Sequence, residues 1–429
     1  MMRVCGHVAA VLLASACLTS TAFAEEPATS DWLSGDHATG DWDGQRTLWS
    51  DQGIDLWATY LAEGWRNTTG GIKTGGVYTG LLKAGADVNF DRLITWQGLR
   101  FSTTWLWLTG DDASAELVGN SLTISNIAGL SNWRLFEFWL EQSFYDDRFS
   151  MRVGWMGWDS EFAVSEYAGL FLNGTFGWPA YLYQNLPEGG PGYPNTGIGW
   201  RFALEATDSL TLRSALGHSQ LKSQEDNPHG FDYAPYGETG LLWLNEAEFR
   251  ASPGGLPGRY TLGAWISTKD IESPEDPAKE YHGNYGVYFM LDQQLTSEVS
   301  TGLAVAPDEA GSEQGLGWFA RVATSPGDRS LVGFYVDAGF NYTGLIPGRD
   351  DDSLGIAVAW SGLGYAQEDA LQAAGSVDVG YEMVVEATYS FVVASWLRLQ
   401  PDLQYVVHPG GTGDLDNAFV IGARLSADF

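Results

Sequence analysis

The last eleven residues, Phe419 to Phe429, alternate apolar and polar side chains without a break and stop on an aromatic. Phe419, Ile421, Ala423, Leu425, Ala427 and Phe429 fall on one face; Val420, Gly422, Arg424, Ser426 and Asp428 fall on the other. A period of two is the repeat of a β-strand with one apolar and one wetter face. A soluble core could cover such a face. A terminal Phe in phase with it matches instead the signal by which the barrel assembly machinery inserts outer-membrane barrels. The strand therefore predicts that the apolar faces of its neighbours meet lipid and the wet faces line a pore.

The other end of the chain gives the same address. Arg3 precedes an apolar stretch, roughly Val8 to Leu18, and Ala22-Phe23-Ala24 supplies the small residues read by a signal peptidase. Residues 1–24 are expected to be a secretory signal, too short for a spanning helix. A lipoprotein reading of Leu13 to Cys17 is discounted, because Ala14 stands where Leu is usual. Cys5 and Cys17 both lie in this segment, so disulfides and thiolate chemistry are excluded from the rest. No later stretch is apolar enough for a transmembrane helix. A membrane-spanning chain of this kind must close into a barrel, the one other fold that pairs every backbone group. The net charge of −32 argues against a nucleic-acid partner, which needs Lys and Arg, and disfavours an anion-selective pore. Acidic residues in solvated loops, bridged by divalent ions at a lipopolysaccharide surface, accommodate that charge.

Two kinds of connection alternate. Tight turns are read at Asp91-Arg92, Asp146-Asp147, Thr207 to Ser209, Pro253 to Gly258, Thr296-Ser297, Ser325 to Arg329 and Val393 to Ser395. Longer loops are read at Arg66 to Gly80, Thr109 to Asn132, Asp159 to Gly197, Gln220 to Gly240, Asp270 to Gly283, Pro307 to Gly315, Leu345 to Val379 and Pro409 to Asn417. Leu354 to Trp360 is placed inside the seventh loop. The predicted fold is all-β: a single transmembrane antiparallel β-barrel of about sixteen strands over residues 54–429, with short periplasmic turns and long extracellular loops. Residues 25–53 form a periplasmic lead with a short helix from about Gly44 to Gln52.

Strand phase selects the pore-facing side chains. In Leu135 to Tyr145, Phe136, Phe138 and Leu140 face lipid, and Glu137, Trp139 and Glu141 face inward. Hairpin arithmetic across Asp146-Asp147 sets Arg152 opposite Glu141. Glu246, Glu248 and Arg250 share one face. Glu386, Arg398 and Arg424 fall on the wet faces of the last three strands. Each of these either touches solute or pairs with a neighbour to fill the wall.

The third loop, Asp159 to Gly197, is too aromatic for disorder. A loop of this length in a compact fold is usually functional. Folded into a sixteen-stranded barrel, it would narrow an aqueous channel. Trp178, Tyr181 and Tyr183 offer flat faces to a sugar ring, and Glu188 offers hydrogen bonds to its hydroxyls; packing and interfacial girdles compete for the same aromatics. No catalytic, cofactor or metal motif stands out. The six histidines are scattered, and Asp350-Asp351-Asp352 reads as a solvated loop rather than a calcium site.

Thr39-Gly40-Asp41-Trp42-Asp43-Gly44-Gln45-Arg46-Thr47-Leu48, followed by Gly53-Ile54, is similar to the G-D-W-G-G-x-R-x-x-L…G-I opening of the carbohydrate-selective porin family, the OprB type. Asp43 varies that pattern. Glu141-Gln142, Tyr193-Pro194-Asn195, Asp292-Gln293, Tyr342-Thr343-Gly344 to Pro347-Gly348-Arg349 with Asp352, and Gln404-Tyr405 to Pro409-Gly410-Gly411 also resemble it, in order. The resemblance implies a sixteen-stranded outer-membrane porin that passes sugars by facilitated diffusion through an eyelet of Arg, Glu and aromatic side chains. It assigns no eyelet residue singly and leaves open whether the pore is a monomer or a trimer. The acidic balance keeps a general or cation-preferring porin in view. A secreted glycoside hydrolase built on Glu137 and Glu141, or on Glu246 and Glu248, is disfavoured, since such pairs must flank the substrate rather than stand side by side.

Overall fold

The computed structural model describes residues 32–232, 239–297 and 314–429; the expected signal segment lies outside them. A short helix, α1 (Gln45–Asp51), leads through Gly53 into sixteen strands. These are β1 (Ile54–Thr69), β2 (Gly75–Asn89), β3 (Leu99–Gly110), β4 (Trp133–Phe144), β5 (Phe149–Met156), β6 (Gly197–Thr207), β7 (Leu210–His218) and β8 (Leu241–Ala251). Then follow β9 (Gly258–Glu272), β10 (Glu280–Gln294), β11 (Gly315–Thr324), β12 (Val332–Thr343), β13 (Ser353–Leu363), β14 (Tyr381–Ala394), β15 (Leu397–Val407) and β16 (Ala418–Asp428). Each pairs antiparallel with its sequence neighbours, and β1 pairs with β16 to close the barrel. Among the described residues no helix is long and apolar enough to cross a membrane.

The alternating faces follow the expected phase. In β16, Phe419, Ile421 and Leu425 are exposed while Val420 and Arg424 are buried. The backbone N–H of Phe429 donates to the Ala58 carbonyl at 2.8 Å, so the terminal aromatic stays tied to β1. Glu141 lies opposite Arg152 across the β4–β5 hairpin. Phe136 departs from its expected lipid face. The register slips between Thr104 and Trp105, which pair with Glu137 and Leu135, so Phe136 is the extra residue of a β-bulge. It turns inward and packs beside Tyr193, ring centres 6.0 Å apart.

Leu354 to Trp360 is not loop but the body of β13, paired along its length with β12 and β14. Its inward positions are Gly355, Ala357, Ala359 and Ser361, which offer no charged face to mark a wet side. They are small because the third loop packs on them: a Cβ on Gly355 would lie 2.7 Å from Leu170 and 2.8 Å from Phe171. The strand implied between Thr296-Ser297 and Pro307 lies largely outside the described residues, and β10 pairs directly with β11. Three connections therefore change ends. The β10–β11 and β12–β13 connections leave and re-enter the barrel at the turn end, and the short segment 325–331 lies at the loop end.

Candidate functional site

The third loop, residues 157–196, folds into the barrel and is clamped there by side chains of the wall. Glu246 on β8 accepts from the Ala163 N–H at 2.7 Å. Glu386 on β14 accepts from the N–H groups of Leu172 and Asn173 at 2.6 and 3.0 Å. Arg321 on β11 is fully buried and donates to the carbonyls of Ala163, Thr175 and Phe176 at 3.0, 3.1 and 3.1 Å. Its charge is balanced by Asp337 on β12. Phe162, Phe171, Phe176 and Tyr181 then complete an apolar core with Phe319, Tyr335 and Val384 of the wall. Residues 111–132 turn inward as well: Glu382 accepts from the Ser121 and Leu122 N–H groups at 2.8 and 2.6 Å, and Glu63 accepts from Ser125 Oγ at 2.6 Å.

These two loops fill much of the lumen and leave two clefts, one toward each end of the barrel. The loop-side cleft, about 420 Å³, is lined by Lys83, Asp112, Asp159, Trp178, Tyr183 and Glu188, among others. The turn-side cleft, about 320 Å³, is lined by five arginines (Arg148, Arg201, Arg213, Arg250 and Arg259) and by Glu161, Glu246 and Glu248. Trp139 on β4 and Arg152 on β5 stand beside the turn-side cleft, behind its lining residues Glu161 and Arg201, with the guanidinium 3.8 Å from the indole centre. Arg152 bonds Glu141 at 3.1 Å and Glu161 at 2.6 Å. Arg201 bonds the same two acids, with its Nε 2.7 Å from Glu161. The result is a planar cation on an aromatic face inside a quartet of alternating charge.

The candidates from strand phase divide into distinct environments. Glu141, Arg152 and Trp139 meet beside the turn-side cleft. Glu137 accepts from Thr104 Oγ1 and the Gly157 N–H, both at 3.3 Å, where the third loop leaves the wall. Glu246, Glu248 and Arg250 line the turn-side cleft, with Glu248 held by Arg213 at 2.7 Å and by Arg250 at 2.9 Å. Trp178, Tyr183 and Glu188 line the loop-side cleft. Tyr181 lines neither; it is fully buried against Tyr288 and Tyr335. Glu386 is spent on the loop clamp. Arg424 pairs with Glu63 and Asn126. Arg398 stays exposed near the turn end. Arg201, Arg213 and Arg259 were missed although they sit on the inward phase of β6, β7 and β9. Desolvation pushes the Asp112 and Asp159 carboxyls up, against the N–H donors of Ser114 and Tyr193.

Asp350-Asp351-Asp352 forms no cation cluster. Asp352 takes a two-pronged bond from Arg349 at 2.8 and 2.8 Å, plus the Val392 N–H at 2.8 Å and the Tyr389 hydroxyl at 3.0 Å. Among the described residues no group of His, Cys, Asp and Glu could hold a metal.

A closed sixteen-stranded barrel, narrowed from within by its third loop, defines an outer-membrane porin. Residues 73–429 match the family model for the carbohydrate-selective porin, OprB family, and the chain belongs to that family. Porin B of Pseudomonas aeruginosa is 24% identical over 433 residues, covering 91% of this chain and 90% of that protein. The high-pH structure of OprB from Pseudomonas putida superposes with a TM-score of 0.81 at 22% identity, covering 92% of this chain and 99% of that one. The outer-membrane channel DcaP of Acinetobacter baumannii shares the fold at a TM-score of 0.53 and 10% identity. The N-terminal Gly-Asp-Trp motif lies ahead of the matched span.

Proposed function

We propose that the chain passes small sugars, monosaccharides foremost, by facilitated diffusion from the loop-side cleft to the turn-side cleft. The observation that carries this reading is the junction of Trp139, Arg152, Glu141, Glu161 and Arg201. A pyranose has a flat C–H face that suits an indole and a rim of hydroxyls that suits guanidinium and carboxylate groups. The ion pairs hold these groups in place before the sugar arrives, so little ordering is needed on contact. Contact must stay weak for solute to leave again. No bond is made or broken. The relatives are porins, and the carboxylates of a hydrolase reading are engaged by arginines, hydroxyls or loop N–H groups.

In planar bilayers the purified protein should conduct ions, and glucose should reduce that current in a saturable way. Channels in well-folded protein whose current is indifferent to sugars would overturn the reading. A general cation-preferring porin draws support from the acidic loop end; sugar-insensitive current with a reversal potential set by cations would favour it.

A further inference from the structure

The two clefts differ in how their charges are used. All five arginines of the turn-side cleft are ion-paired: Arg148 with Asp208, Arg201 with Glu141 and Glu161, Arg213 and Arg250 with Glu248, and Arg259 with Asp292. In the loop-side cleft Asp112, Asp159 and Glu188 face a single cation, Lys83, and among the described residues no ion pair joins any of these four. Glu188 is exposed, and Asp112 is bound to the Ser114 N–H. The cleft also lies beneath an acidic rim. The eight connections at the loop end carry nineteen acidic residues and four basic ones, Lys73, Lys222, Lys279 and Arg329. A cleft with a net negative lining between low-dielectric walls focuses its field on whatever enters.

We propose that the loop-side cleft sorts solutes by charge, admitting neutral and amino sugars and turning away sugars that carry a carboxylate or phosphate. This rests on the reading that sugars pass through that cleft. An anionic solute meets carboxylates outside any ion pair before it reaches the arginines of the turn-side cleft, and those arginines are already neutralised by partners. One unit charge about 4 Å from another is worth ~1 kcal/mol even in water, a factor of about five in local concentration.

The test uses the whole chain in proteoliposomes at neutral pH, with glucose, glucosamine and glucuronate as solutes of similar size. Glucose and glucosamine should enter, and glucuronate at least about five-fold more slowly. Raising salt to 1 M shortens the screening length to about 3 Å and should narrow the gap. Asp112→Asn with Glu188→Gln should narrow it too, and Glu188→Gln alone, on an exposed loop residue, should do so in part. Slower migration of heated than unheated protein in gels checks that each variant is folded. Equal entry of glucose and glucuronate overturns the sorting and leaves the sugar channel standing. A gap that resists both salt and the double substitution is steric and also overturns it. Failure of all three sugars to enter removes the channel reading itself, and the sorting with it.

Discussion

At the residue scale, the buried pair of Arg321 and Asp337 is the most exacting feature. Both side chains are fully buried, and the arginine holds three carbonyls of the third loop. Removing one partner of such a pair leaves an uncompensated charge, at a cost of about 3–5 kcal/mol. Asp337→Ala should therefore lower the urea midpoint of the refolded barrel sharply, while Arg398→Ala, at an exposed position, should leave it unmoved. Asp352 offers a pH test. Burial alone would raise its carboxyl, but Arg349, Val392 and Tyr389 together hold it below the usual carboxylate range. A lowered acid stabilises the folded state above its ordinary range, and that contribution fades as pH falls through the lowered value. Unfolding measured against pH should show a loss of stability on acidification that is smaller in Asp352→Asn, which should also be weaker at neutral pH. Neither role was legible locally. Arg321 sits in phase with the lumen, but nothing near it in sequence says that a loop some 150 residues earlier will bury it.

At the scale of elements, the third loop is a fixed part of the wall rather than a mobile flap. Its backbone is held by β8, β11 and β14, and its aromatics pack on the buried rings of Tyr288, Phe319 and Tyr335 of the wall. Tyr167 approaches β11 so closely that a Cβ on Gly317 would lie 2.1 Å from its ring. Glu386→Ala should free the Leu172 and Asn173 N–H groups and loosen this anchor. The expected readout is a noisier single-channel current with higher mean conductance and weaker block by glucose. Unchanged noise and block would show that the remaining clamps suffice. The same packing explains why β13 was read as loop. A lumen face covered by protein needs small residues, not charges, so the strand loses the polar period by which its neighbours were recognised. Where the lumen is wet, as along β4 past the Phe136 bulge, β5 and β8, the alternation gave the right faces and the Glu141–Arg152 partnership.

At the scale of the whole molecule, the barrel is divided lengthwise. Part of its interior is filled by the packed loops with their aromatic core and charged clamps, and the rest holds two clefts lined by charged side chains. Arg152→Ala should keep the fold but weaken glucose block by roughly ten-fold, the worth of about 1.5–3 kcal/mol for hydrogen bonds to a charged group. Arg152→Lys should restore little, because an ammonium cannot lie flat on Trp139 or fork between two carboxylates. Single-channel block by glucose checks both. The sequence by itself determined the β-barrel, its closing strand, the lipid-facing set and the inward third loop, because alternation, turn chemistry and loop length are local properties of the chain. Only the tertiary structure decided which inward carboxylates clamp backbone and which pair with arginines. Glu386 and Glu141 share the same phase, yet one is buried under the third loop and the other joins Arg152 and Arg201 at the passage. That division depends on where a distant loop comes to rest, and burial of this kind has no signature in the strand that undergoes it.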